Sequence, residues 1–133
     1  MSLLGIDPEY DLVLATYIHD RIIEASGGVK GFHDEKLIKS ALARPFQTAF
    51  GKEMYPSLVN KAAAVLDSIA RNHGYRDGNK RTAMAVANIF LNLNDIELDF
   101  TNKEYEEFML HVVNNKPTIE EISQWLSRHI VAT

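Results

Sequence analysis

From Ala83 to Leu91 the chain offers a single polar side chain, Asn88. A helix through this stretch is apolar on nearly every side, and such a helix belongs at the centre of a fold. It is too short to span a bilayer, which takes about 20 apolar residues. The rest of the sequence supplies helices to surround it. Asp7-Pro8 opens a first helix, with Asp as N-cap and Pro in the first turn. Leu14, Ile18 and Ile22 then repeat every four residues, and Ser26-Gly27-Gly28 ends the helix. A second helix, about Asp34 to Arg44, buries Leu37, Ile38, Ala41 and Leu42 before Pro45 stops it. Ser57 caps a third, with Leu58, Ala62, Val65, Leu66 and Ile69 on one side, ending near His73-Gly74. The central helix runs from about Asn79 to Asn94. Ile96 to Phe100 alternates as a brief extended stretch. Thr101 with Glu104, and Thr118 with Glu121, are capping boxes for a fifth and a sixth helix. The fifth buries Tyr105, Phe108, Met109 and Val112; the sixth buries Ile122, Trp125, Leu126 and Ile130. The expected fold is all-α, about six helices in one domain over 1–133, with at most one small hairpin near 45–56.

Composition excludes several functions. Hydrophobic residues make up 46% and charged residues 24% of 133, as in folded globular chains rather than disordered ones. No apolar run predicts a membrane span, and no basic region followed by a long apolar run predicts a secretory signal. Cysteine is absent, which removes disulfides, thiolate catalysis and Cys-based zinc sites. A reducing, cytoplasmic location fits. His19, His33, His111 and His129 show no short-spaced pair, so zinc is not expected. Asp20 and Arg21 read as a solvated helix face. The net charge of −4 disfavours a generally basic nucleic-acid binder.

That charge is uneven. Residues 71–81 hold Arg71, Arg76, Lys80 and Arg81 against Asp77, a local +3, so the remainder carries −7. Lys80 and Arg81 fall at the start of the fourth helix, where the dipole already presents positive charge and each cation costs roughly 0.3–1 kcal/mol. An anion relieves the conflict. Gly78 lets the backbone approach closely, and the N–H groups of Gly78, Asn79, Lys80 and Arg81 can converge on a phosphate. Asp77 can hold Mg²⁺ and His73 can take a proton near neutral pH. The inventory suits phosphoryl or nucleotidyl transfer. A plainer reading fits the same residue types: a helix-end His, an Asp-Gly turn and solvated cations. Gly74 to Arg81 reads G-x₄-N-K-R and is not a P-loop, which needs a second Gly, a hydroxyl and a preceding strand.

His73-Gly74-Tyr75-Arg76-Asp77-Gly78-Asn79-Lys80-Arg81 resembles the signature of the Fic/Doc family, H-x-F-x-[D/E]-[A/G]-N-[G/K]-R. The stretch His33 to Pro45 is similar to the Doc, or death-on-curing, branch. Gly74 stands where the family usually has Pro or an aliphatic residue, and Tyr75 replaces Phe. A buried tyrosine hydroxyl needs a partner. The resemblance implies that His73 is the general base, Asp77 the Mg²⁺ ligand, Gly78 and Asn79 parts of the phosphate nest, and Arg81 a phosphate contact. Adenylylating Fic enzymes usually carry Gly where this chain has Lys80 and a second Arg where it has Met84. Both departures follow the Doc pattern, in which an inverted nucleotide delivers the γ-phosphate of Mg-ATP to a protein hydroxyl.

The implied protein is thus a toxin acting on elongation factor Tu and arresting translation. The implied partner is a Phd-like antitoxin, since no inhibitory [S/T]-x-x-x-E-[G/N] pattern is present. Residues 45–56 fall where the family has a flap that docks the target by strand addition, with Phe46, Phe50 and Tyr55 as candidate contacts. A covering role over the core fits those aromatics equally. Two further readings stay open: a Fic-type protein adenylyltransferase, and a non-catalytic module that binds phosphate or nucleic acid.

Overall fold

The computed structural model describes residues 1–5 and 7–132. Six helices form the fold. The first, α1 (Pro8–Ser26), starts where Asp7 accepts the N–H groups of Glu9 and Tyr10, and ends at Gly27 with φ 86°. Next, α2 (Glu35–Ala43) is capped by Asp34 and runs into a 3₁₀ turn over Arg44–Phe46. Two short strands, β1 (Thr48–Ala49) and β2 (Lys52–Glu53), pair antiparallel. Both residues of their turn, Phe50 and Gly51, have positive φ, as the tightest hairpins require. Then come α3 (Leu58–Asn72), α4 (Asn79–Leu93), β3 (Glu97–Leu98), α5 (Asn102–Asn115), α6 (Ile119–Arg128) and β4 (Ile130–Ala132).

The centre is a pair of helices, α3 against α4, with the others wrapped around it. The expected centre was α4 alone. Yet α3 is buried along its whole middle, Lys61 to Ala70, because Ala62, Ala63 and Ala64 let neighbours approach from every side. Leu66, Ile69, Val86 and Leu91 have no exposed surface, and burying each contributes roughly 1.5–3 kcal/mol.

Two details depart from the periodicity. The sixth helix stops at Arg128, and Ile130 lies in β4 instead, paired antiparallel with β3. Among the described residues the β1–β2 hairpin is thus joined by a second two-stranded sheet built from distant segments. On α1 the buried line is Asp11, Ala15, His19 and Ile23, one residue on from the Leu14–Ile18–Ile22 stripe, which is only half-buried. Asp11 is buried because it accepts the N–H groups of Leu3 and Leu4 and the hydroxyl of Ser2. His19 faces the α3–α4 junction.

Candidate active site

The junction between α3 and α4 is built from residues that break helical habits. His73 ends α3 in the left-handed region, φ 54° and ψ 42°, a conformation that costs a side chain of this size about 1 kcal/mol or more. Its ring is exposed and makes no hydrogen bond among the described residues. Gly74 follows because nothing larger fits: a Cβ there would lie 2.4 Å from Ile38 Cδ1. Its carbonyl accepts the N–H groups of His33 and Asp34 at 2.9 and 3.0 Å, tying the junction to the start of α2.

Tyr75 is the anchor. It is fully buried, stacked between Phe32 and His19, and its hydroxyl meets Thr16 Oγ1 at 3.0 Å. The polar partner expected for a buried tyrosine is thus present on α1. Burial pushes its pKa up to about 12, with the Thr16 contact opposing. Asn79 closes the loop on itself: its side chain accepts the Tyr75 N–H at 3.1 Å and donates to the Tyr75 carbonyl at 2.9 Å. The Asn79 side chain is therefore engaged, and its backbone N–H is what it offers to a ligand.

Asp77 sits at the exposed rim. One carboxylate oxygen accepts the Val29 N–H at 2.7 Å, and the carbonyl is held by His19 Nε2 at 2.7 Å. Gly78 then begins α4 with φ 77° and no capping side chain. The first backbone N–H that α4 satisfies is that of Thr82, on the Gly78 carbonyl at 3.0 Å. Those of Gly78, Asn79, Lys80 and Arg81 have no partner among the described residues. Of the four cations in this segment, Arg71 is paired with Asp67 at 2.9 Å and Arg76 donates to the Phe32 carbonyl. Lys80 and Arg81 are exposed and have no ion pair among the described residues. Arg81 lines a cleft of about 330 Å³ with Ile22, Met84, Asn88, Phe100 and Tyr105. Asn88 Oδ1 is buried there with no partner among the described residues.

The chemistry available is therefore an accessible imidazole, one carboxylate with an oxygen to spare, four N–H donors without partners among the described residues, and two cations. No group of three or more His, Asp or Glu among the described residues could cage a metal. The single carboxylate of Asp77 fits Mg²⁺, which takes its remaining ligands from phosphates and water. It does not fit a closed zinc site.

The three flap aromatics part company. Phe50 stands fully exposed at the hairpin tip, with φ 53°. Tyr55 is buried, its hydroxyl accepting from Arg44 Nε at 2.9 Å, while Arg44 also binds Asp67 at 2.8 Å. Phe46 is half-buried against the core. Lys61, itself buried, holds the hairpin base by donating to Glu53 and to the Tyr55 carbonyl. Phe50 is the flap aromatic left wholly open to another molecule, and Phe46 keeps part of its surface on a cleft with Leu12 and Lys39.

His19 and Asp20 belong to the site and were not expected there. A histidine at core spacing on α1, beside an aspartate and nearly sixty residues from the motif, carries no local signal that it faces Asp77. Its appearance on the same helical line as Ala15 and Ile23 is the one trace in the sequence.

Comparison with known proteins agrees with this geometry. Residues 9–91 match the model of the Fic/DOC family. The chain is similar to the Toxin Doc of Mycolicibacterium smegmatis, 42% identical over 105 residues that cover 77% of this chain and 81% of that protein. It is also similar to the Protein kinase doc of Escherichia phage P1, 27% identical over 111 residues, 84% of this chain and 86% of that one. The matched segment runs from the first turn of α1 to the last of α4 and includes the whole α3–α4 junction, so this chain belongs to the Fic/DOC family, on its Doc branch.

Proposed function

We propose that this chain is a toxin of the Doc type that transfers the γ-phosphate of Mg-ATP to a hydroxyl of a target protein. The observation that carries the reading is the start of α4: four unpaired N–H groups and two unpaired cations beside Asp77, with the free imidazole of His73 at the same junction. Preorganised donors of this kind do most of the work in phosphoryl transfer, where positioning and charge neutralisation dominate.

The chain's own residues divide the task. His73 accepts the proton of the attacking hydroxyl as its oxygen bonds to the γ-phosphorus. The bond from that phosphorus to the bridging oxygen breaks, and the electron pair leaves with ADP. The N–H groups of Gly78 to Arg81 and the Arg81 guanidinium hold the phosphates in line. Asp77 would hold Mg²⁺, which supplies charge neutralisation across the phosphates when bound. Lys80 adds a phosphate contact, and with Met84 it supports phosphate transfer over adenylyl transfer, as does the name of the phage relative. A protein partner that silences the activity, an antitoxin, follows from the toxin reading of the other relative. Elongation factor Tu is the first target to test.

Incubation with elongation factor Tu, or a bacterial lysate, and Mg-ATP is expected to add one phosphoryl group to a hydroxyl, detected by mass spectrometry. His73→Ala should cut the rate by roughly 10²–10⁴-fold. An adenylyl adduct would move the chain to the Fic-type reaction. No adduct from folded protein would leave a phosphate-binding module and sink the transferase reading.

A further inference from the structure

The connection between α1 and α2, residues 27–34, runs antiparallel to residues 74–77 and meets them in order. The Gly74 carbonyl accepts the N–H groups of His33 and Asp34. Phe32 and Tyr75 form an antiparallel bridge, and their rings stack with centroids 5.4 Å apart. The Arg76 N–H donates to the Gly31 carbonyl at 3.1 Å, and Arg76 Nε donates to the Phe32 carbonyl at 3.3 Å. The last contact uses a side chain in place of backbone: the Val29 N–H donates to Asp77 Oδ2 at 2.7 Å, the length of a charge-assisted bond. The connection is thus a strap laid along the loop.

Asp77 is exposed, and an exposed side chain ordinarily changes rotamer within nanoseconds. The Val29 N–H holds one of its carboxylate oxygens and leaves Oδ1 without a partner among the described residues. Gly28 is what brings the strap so close. Its φ is 116°, and a Cβ on it would lie 3.1 Å from Ile23 Cδ1 and 3.2 Å from Asp77 Cβ. Gly27 beside it also has a positive φ, 86°, but a Cβ there would meet nothing within 4 Å.

We propose that the strap is a positioning element for the metal ligand: the Val29 N–H fixes the Asp77 carboxylate, so that Oδ1 alone is free for a divalent cation. The use of that oxygen by Mg²⁺ rests on the proposed function; the hold on the carboxylate does not. A carboxylate ordered before the cation arrives loses less freedom on binding, and an outer-shell donor of this kind carries about 10–100-fold in metal affinity. The donor is a backbone group, so no side chain announces it in the sequence.

Amide hydrogen exchange of the ligand-free protein reads the hold directly. The N–H groups of Gly28 and Lys30 have no acceptor among the described residues, so that of Val29 should be protected about tenfold or more beyond either. Asp77→Ala should remove the difference. Calorimetry with a non-hydrolysable ATP analogue, with and without Mg²⁺, then separates the metal from the nucleotide. Val29→Pro removes the N–H. The gain in affinity that Mg²⁺ brings should fall by about tenfold or more, while affinity for the metal-free analogue is kept. Val29→Ala keeps the N–H and should restore the gain. Gly28→Ala, which presses on Asp77, should lose the gain, and Gly27→Ala, also at positive φ but touching nothing, should keep it; this pair decides the matter if the proline variant does not fold. A Val29 amide that exchanges as fast as its neighbours in the unaltered chain overturns the proposal whatever the variants do. So does a folded Val29→Pro variant that keeps the whole magnesium gain, or one that loses affinity equally with and without Mg²⁺. A protected Val29 amide with no magnesium gain in the unaltered chain would sink the metal assignment of the proposed function and leave the hold on Asp77 standing.

Discussion

Three helices in this fold begin in the second half of the chain, and they begin in opposite ways. The starts of α5 and α6 each have side-chain acceptors for two of their leading N–H groups. Thr101 accepts the Glu104 N–H while Glu104 accepts that of Thr101, and Thr118 with Glu121 repeats the arrangement. Both place acids where the dipole favours them. The start of α4 has a bare glycine as N-cap, no acid in its first turn, and Lys80 and Arg81 set against the dipole. A glycine N-cap costs only about a few tenths of a kcal/mol against a capping side chain, and each misplaced cation roughly 0.3–1 kcal/mol. The penalty falls on a helix whose apolar body is buried on nearly every side, and that packing outweighs it several-fold. The outer helices, with less buried surface, have their ends in order. The fold thus leaves donors and charge unpaired at the helix best able to tolerate it, and that is where a phosphate can be held.

The contrast breaks most severely at Gly74, where α3 hands over to the open end of α4. Its would-be Cβ meets both Cδ1 and Cγ1 of Ile38, at 2.4 and 2.6 Å, in a fully buried contact. Gly74→Ala should therefore destabilise the protein by about 1–3 kcal/mol, read from urea unfolding. The loss should be mostly coupled to Ile38: in the Ile38→Ala background the same substitution should cost at least about 0.5 kcal/mol less. Full additivity would mean that the backbone conformation, not the overlap, demands glycine there. An equivalent change outside the junction, such as Gly51→Ala, meets no atom within 4 Å and exerts its effect only through its positive φ of 78°.

The ordered ends are expected to respond to smaller changes. Thr101→Ala should cost about 1 kcal/mol, because one backbone donor loses its acceptor. Acid should act on the same contacts. The Thr101 N–H, then His129 and the Thr101 hydroxyl, hold the Glu104 carboxyl below its ordinary value of 4.5. The Thr118 N–H and hydroxyl do the same for Glu121. Each carboxylate is therefore held more tightly in the folded chain than in the unfolded one. The stabilisation is complete above about pH 4.5 and is lost as pH falls through the lower folded values. Far-UV circular dichroism of thermal unfolding between pH 6 and 3 should show the decline. Glu104→Gln with Glu121→Gln, which keep an acceptor but cannot titrate, should flatten that limb.

The ordered ends were also the more legible ones. Thr-x-x-Glu before an apolar run is a local signal with a local cause, and both boxes formed at the expected residues. The helix boundaries at Asp7 and Ser57 followed for the same reason. What depended on distant partners was not readable. The extended stretch at Ile96 to Phe100 was legible, but its pairing with β4, more than thirty residues on, was not. The buried line of α1 was displaced by one residue because Asp11 and His19 lie on it, and polar residues do not register in a hydrophobic period. At the site, the motif delivered the loop residues, including the turn at Gly78 and the cations. Asp20 reads as solvated from its neighbours, whereas its carboxylate faces the ring of His19. The aromatic flap residues looked alike in sequence. The fixed position of Arg44 turns Tyr55 inward, while Phe50 is left at the tip.

One effect has the opposite sign from the others. Lys80 is exposed, unpaired among the described residues and within the first turn of α4. Lys80→Glu replaces an unfavourable charge by a favourable one, so it should stabilise the fold by about 0.6–2 kcal/mol at low salt, less as salt screens the dipole. On a capped helix the same exchange gains less, because the first-turn acid is already present: Lys103→Glu in α5 also removes the weak surface pair with Glu107 at 3.9 Å. The stabilised Lys80 variant should at the same time lose affinity for anions. Inorganic phosphate or Mg-ATP should raise the thermal midpoint of the unaltered chain by binding the native state alone, and raise that of the variant less. A variant that is both more stable and equally anion-responsive would separate the charge conflict at α4 from ligand binding. It would leave the conflict without the use assigned to it here, since a helix start that can be improved at no loss of binding is not one shaped by a ligand.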